Sequence, residues 1–115
     1  MRLKSEIWVK AYIRKSFAEG YPAVVVRRGD SDAGTIFIRV NLLNGEVNIY
    51  GPAPMGLNDE TDDRCWIQMI SDTPVNELQA DEFLSRQVRS DPDIWIVEQE
   101  SREGTHFLEN LIVDH

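Results

Sequence analysis

The run from Gly34 to Gly51, GTIFIRVNLLNGEVNIYG, constrains the fold more than any other part of this chain. It reads as two alternating strands closed by Asn44-Gly45, because both central residues of a two-residue type I′ turn need positive φ. With that loop, Leu43 faces Glu46, Leu42 faces Val47, Val40 faces Ile49 and Ile38 faces Gly51, so one face of the hairpin is apolar throughout. The other face pairs Asn41 with Asn48 and Arg39 with Tyr50, and a slip of one residue would carry the apolar set into water.

The flanking segments complete an α+β pattern in a single domain spanning residues 1–115. Leu3 to Glu19 is predicted to be helical and to stop at Gly20, with Trp8, Val9, Tyr12, Ile13 and Phe17 on its core half and Lys4, Lys10, Arg14 and Lys15 on the other. Ala23 to Arg28 makes a first strand whose continuous valines imply cover on both faces, and its turn into the hairpin predicts a three-stranded antiparallel meander. Arg64 to Ile70 is a fourth strand. A helix follows, capped by Asp72 or Thr73 with Pro74 at its first position, and runs to about Arg89. Ile94 to Val97, apolar on both faces, is a fifth and central strand, while Thr105 to Val113 reads equally as strand or helical turn. The expected architecture is an antiparallel or mixed sheet of about five strands with the N-terminal helix and the second helix packed on it.

Charge is unevenly placed. Residues 1–28 hold seven Lys/Arg and two Glu, whereas the remainder holds five Arg and eighteen Asp/Glu, for a net charge of −8. That total argues against general nucleic-acid binding, which draws its affinity from phosphate neutralisation, and leaves Lys4, Lys10, Arg14 and Lys15 as the weaker alternative of a nucleic-acid contact by the first helix. No apolar run is long enough to span a membrane and no signal peptide precedes the domain, so the chain is expected in the cytoplasm, off the membrane. Cys65 is the only cysteine, which removes a disulfide framework or a cysteine-rich zinc site within one chain.

Four segments in combination resemble the uncharacterised bacterial domain-of-unknown-function family 1491: RLKSEIWVKAYIR at the start, Arg27 to Gly34, Tyr50 to Pro54, and Asp91-Pro92-Asp93-Ile94-Trp95. The resemblance spans nearly the whole chain. It implies a small stand-alone cytosolic protein with no assigned activity, and it carries no functional residue with it.

Three places offer more than packing. The turn Arg27-Arg28-Gly29-Asp30-Ser31-Asp32-Ala33-Gly34 brings two arginines and two carboxylates onto one loop, which could hold a phosphate or other small anion, or a cation through Asp30 and Asp32. It lacks the ligand spacing of a calcium loop and the Gly-Lys-Ser/Thr ending of a phosphate-binding loop; the alternative is that its glycines and aspartates serve the turn. Phe37, Arg39 and Tyr50 form an aromatic-cationic group on the face of the hairpin away from its apolar set. There they serve as buried packing, a recognition patch or a dimer contact. Gly51 to Asp63, with four acids, two prolines and two glycines, is a long aperiodic segment of the kind that forms lids or binding loops. His106, His115 and Cys65 stand in no catalytic motif, and no cofactor is expected. The leading expectation is a non-enzymatic protein-interaction module, homodimeric or with another protein partner.

Overall fold

The computed structural model describes residues 2–54 and 63–112. Its elements are α1 (Ser5–Ala18), β1 (Ala23–Arg27), β2 (Ile36–Asn41), β3 (Glu46–Pro52), β4 (Trp66–Met69), β5 (Val75–Asn76), α2 (Glu77–Ser90), β6 (Trp95–Glu100) and β7 (Leu111–Ile112). Seven strands form one mixed sheet in the order β1-β6-β2-β3-β4-β7, with β5 pairing with β3 beside this path. The β2–β6 and β4–β7 pairs are parallel and the other pairs antiparallel. The α+β class is as expected, with more strands. Among the described residues no helix is long and apolar enough to cross a membrane.

Each face of the sheet carries one helix, and this layering explains most departures from the sequence reading. Val9 and Tyr12 of α1 pack with Ile36, Ile38, Val40, Tyr50, Trp66, Trp95 and Val97 on one face. Ala80 and Leu84 of α2 pack with Phe37, Val47, Ile49, Ile94 and Ile96 on the other. Strand β2 is consequently buried on both sides, from Ile36 to Val40.

The hairpin register differs by one residue from the predicted one. Ile38 lies opposite Tyr50, Arg39 opposite Ile49 and Val40 opposite Asn48, and the loop has three residues, with Leu42 N–H donating to the Glu46 carbonyl. Two side chains set this turn: Asn41 Oδ1 accepts from Leu43 N–H at 2.8 Å and Asn44 Oδ1 from Glu46 N–H at 3.0 Å. Leu43 rather than Asn44 takes positive φ, at 61°, together with Gly45 at 89°. Because a helix covers either face, the apolar side chains from Ile36 to Val40 and from Val47 to Tyr50 stay buried in the shifted register, so alternation alone could not specify it.

The predicted meander is also replaced: β6 inserts between β1 and β2. This leaves β1 at the sheet edge, where Val24 and Val26 are each 58% exposed instead of covered on both faces. Strand β6 itself is central, as its doubly apolar run predicts. On α1 the buried stripe is Ser5, Val9, Tyr12 and Ser16, and Phe17 points outward at 57% exposure. Ser5 Oγ donates to the Gly34 carbonyl and Ser16 Oγ to the Tyr21 carbonyl, so two small hydroxyls let the helix sit close to the chain it crosses. Pro74 does not open α2: a two-residue strand intervenes, and Asn76 caps the helix in a reciprocal box with Gln79. The segment after Gly104 resolves to the short strand β7 with no helical turn among its described residues.

Candidate functional site

The turn between β1 and β2 is built into the core. Asp30 Oδ2 accepts from the N–H groups of Asp32 and Ala33, at 3.2 and 2.9 Å, closing the loop on itself. Trp95 Nε1–H donates to the Asp30 carbonyl at 2.7 Å, and Asp30 N–H donates to the Asp93 carbonyl. Gly29 and Gly34 are required by close approach, since a Cβ on either would collide with the Asp93 backbone. Arg27 Nη1 donates to the carbonyls of Pro92 and Ile94 at 2.9 and 2.8 Å. Arg28 pairs with Glu6 at 2.7 Å and lies over the Trp95 ring, while Asp32 pairs with Lys4 at 3.7 Å. The residues singled out from sequence are thus brought together on one turn, with Arg27 directed at carbonyls of the α2–β6 connection, Asp30 at the backbone of its own loop, and Arg28 and Asp32 at Glu6 and Lys4 around the start of α1. Arg28, Ser31 and Lys10 surround Glu6 and hold its carboxyl down at about 2.

Phe37, Arg39 and Tyr50 do not share a face. Phe37 packs edge-on against Phe83 on the α2 side, and Tyr50 lies against His106 on the α1 side. All three are buried, at 3%, 8% and 4% exposure, so they form no surface patch. The register shift is the reason, because it moves Tyr50 from opposite Arg39 to opposite Ile38. Arg39 is engaged by Glu98 of the neighbouring strand and by Glu77 and Asp81 of α2. Beside this cluster an open groove of about 730 Å³ runs between α2 and β1, walled by Val26, Arg27, Leu84, Val88 and Ile96. The predicted binding loop, 51–63, lies mainly at residues 55–62, outside the described residues.

A second concavity lies under α1, against β4 and residues 107–110. Its volume is about 300 Å³, and Trp8, Tyr12, Trp66 and Phe107 form its walls, with Arg2, Lys15 and Arg64 around them. Trp8 stacks on Tyr12 with centroids 5.1 Å apart and meets Trp66 at 5.0 Å. Arg64 reaches across from the start of β4 to donate to the Leu3 carbonyl and Ser5 Oγ, at 2.9 and 3.2 Å. Burial, and then the like charge of Arg2, push the Arg64 guanidinium below its ordinary pKa. Sequence reasoning placed Trp8 in the core and missed this grouping altogether. Its parts are some sixty residues apart, and the only local signal is Arg64 two positions before Trp66.

His106 is spent structurally. Its Nδ1 accepts from Leu108 N–H at 2.9 Å, its carbonyl accepts from Tyr12 Oη–H, and burial lowers its pKa. Among the described residues no group of three or more His, Cys, Asp or Glu is placed to hold a metal ion.

A mixed sheet between two helices, with an open edge strand and an aromatic-cationic cavity, defines a small α+β domain. The chain belongs to the DUF1491 family of proteins of unknown function, whose model matches residues 3–109. It is similar to the crystal structure of a DUF1491 family protein from Caulobacter crescentus CB15, at 34% identity and a TM-score of 0.80, covering 98% of this chain and 100% of that one. An NMR structure of a DUF1491 family protein from the same organism gives 36% identity and 0.80, over 98% and 99% of the two chains. The solution structure of protein Atu0922 from A. tumefaciens gives 38% and 0.81, over 100% and 98%. No curated protein matches the chain.

Proposed function

We propose that this protein is a non-enzymatic interaction module that pairs with a second copy of itself through the free edge of β1. The observation that carries the reading is that edge: Ala23-Val24-Val25-Val26 bears no charge, Val24 and Val26 are each 58% exposed, and no strand pairs with its outer side among the described residues. An uncovered apolar edge strand is a template for strand addition, and natural proteins usually blunt such edges with charge or proline. The strand suits itself as partner. Antiparallel pairing about Val25 sets Val24 of each copy against Val26 of the other, as a two-fold interface requires. The adjoining groove carries both signs, Arg27 against Asp81 and Glu98, so a two-fold mate presents opposite charges as well. This surface takes the place of Phe37, Arg39 and Tyr50, which are buried.

Sedimentation equilibrium tests the reading. The wild-type chain is expected to dimerise with concentration, and Val24→Lys to remain monomeric with an unchanged circular dichroism spectrum. A wild-type chain that stays monomeric at millimolar concentration, or a lysine variant that dimerises as well as the wild type, sinks it.

A further inference from the structure

The cavity under α1 has a composition that edge pairing does not use. We propose that it binds a small planar carboxylate, with the ring of the ligand against the partly exposed Trp8 and Phe107, over the buried Trp66, and its carboxylate at Arg64.

Three observations converge. The space, about 300 Å³, is at the lower end of the range for small-molecule sites, which are mainly apolar with a few placed polar groups. Its walls are aromatic, and flat rings against flat rings favour a planar body over a branched aliphatic one. Its charge is inverted relative to the whole protein: Arg2, Lys15 and Arg64 stand against Asp63 and Glu109, in a chain of net charge −8.

Arg64 supplies the reason for an anion. Its Nη2 is anchored on Leu3 and Ser5, and its Nε is buried with no hydrogen-bond partner among the described residues. A buried, unpaired donor on a cation is costly, which leaves the guanidinium short of compensation, and guanidinium groups are well matched to carboxylates. Arg64 also lines a smaller cavity of about 90 Å³ with Arg2 and Trp66, so it borders both spaces. Partial burial, and then the nearby Arg2 charge, work against the Arg64 cation, and a bound anion would offset both. The turn from Arg27 to Gly34, by contrast, has its guanidinium groups already directed at carbonyls and at Glu6.

The chain carries its own control for the test. Of its three tryptophans, Trp8 and Trp66 line the cavity, whereas Trp95 does not and is bound to the Asp30 carbonyl. Naphthoate titrated into the isotope-labelled full chain is expected to shift the indole N–H resonances of Trp8 and Trp66 in a saturable way and to leave Trp95 in place. Naphthamide, of the same shape without the charge, should bind at least about tenfold more weakly. Arg64→Gln should abolish the saturable shift. Because Arg64 also braces the start of α1, Arg2→Gln provides a second variant, expected to weaken naphthoate several-fold with no change in melting temperature. The proposal is overturned if Trp8 and Trp66 do not respond to millimolar naphthoate, if Trp95 moves with them, if the amide binds as well as the acid, or if both arginine variants bind like the wild type.

Discussion

Replacing Arg39 tests the central claim about the α2 face, that a buried cation holds together carboxylates from two elements. The Arg39 side chain is 9% exposed and faces Glu98 at 26%, Glu77 at 54% and Asp81 at 65%. The two α2 carboxylates lie 3.5 and 3.4 Å away but are mostly in water, so each contributes about 0 to 1 kcal/mol. Glu98 is largely covered and shares the parallel register position with Arg39, so its loss of a partner is the larger effect. Arg39→Ala also leaves a void, and the total destabilisation is expected to be about 3 kcal/mol. With a urea dependence of about 1.5 kcal/mol per molar, the unfolding midpoint should fall by about 2 M. Arg39→Met keeps the volume and isolates the charge. Arg39→Met combined with Glu98→Leu should recover most of the loss, since an apolar pair of similar volume replaces a buried ion pair at little cost. High salt should weaken the Glu77 and Asp81 contributions and leave the Glu98 coupling nearly intact. A coupling between positions 39 and 98 below about 0.3 kcal/mol in a double-mutant cycle would refute this account.

Other perturbations separate the layers of the fold. Val9→Ala, at a site 1% exposed, should cost about 2 kcal/mol in chemical unfolding, whereas Phe17→Ala, at 57% exposure, should change stability by less than about 0.5 kcal/mol; equal effects would contradict the observed α1 face. Gly29→Ala drives a methyl group into the Asp93 and Ile94 backbone and should lower stability by about 1–3 kcal/mol; an unchanged urea midpoint would show that the turn is not clamped there. Acid should act in two steps. Burial lowers the folded pKa of His106 below 6.5, so the unfolded chain takes up that proton first, and stability falls as pH drops through 6.5 toward the folded value. Glu6, held at about 2 against 4.5, adds stability that is present above 4.5 and lost between 4.5 and about 2. His106→Gln should flatten the first step of a stability-against-pH curve and Glu6→Gln the second.

What the amino-acid sequence determined by itself was local: the two helices and the five longer strands, that a hairpin joins β2 and β3, and that the doubly apolar Ile94 to Val97 run is central. Those features follow from periodicity and turn chemistry over a few residues, which act in any context. The order of the strands was not legible, because β6 reaches the place between β1 and β2 only through contacts far apart in the chain. The hairpin register failed for a related reason: with a helix on each face, Phe37 and Ile38 are both buried, and alternation no longer distinguishes inside from outside. The same one-residue shift separated Tyr50 from Arg39 and dissolved the patch expected there. Tertiary structure alone brought Trp8 beside Trp66 and set Arg64 against Ser5, because a cavity is a property of surfaces that meet and no short stretch of sequence contains it.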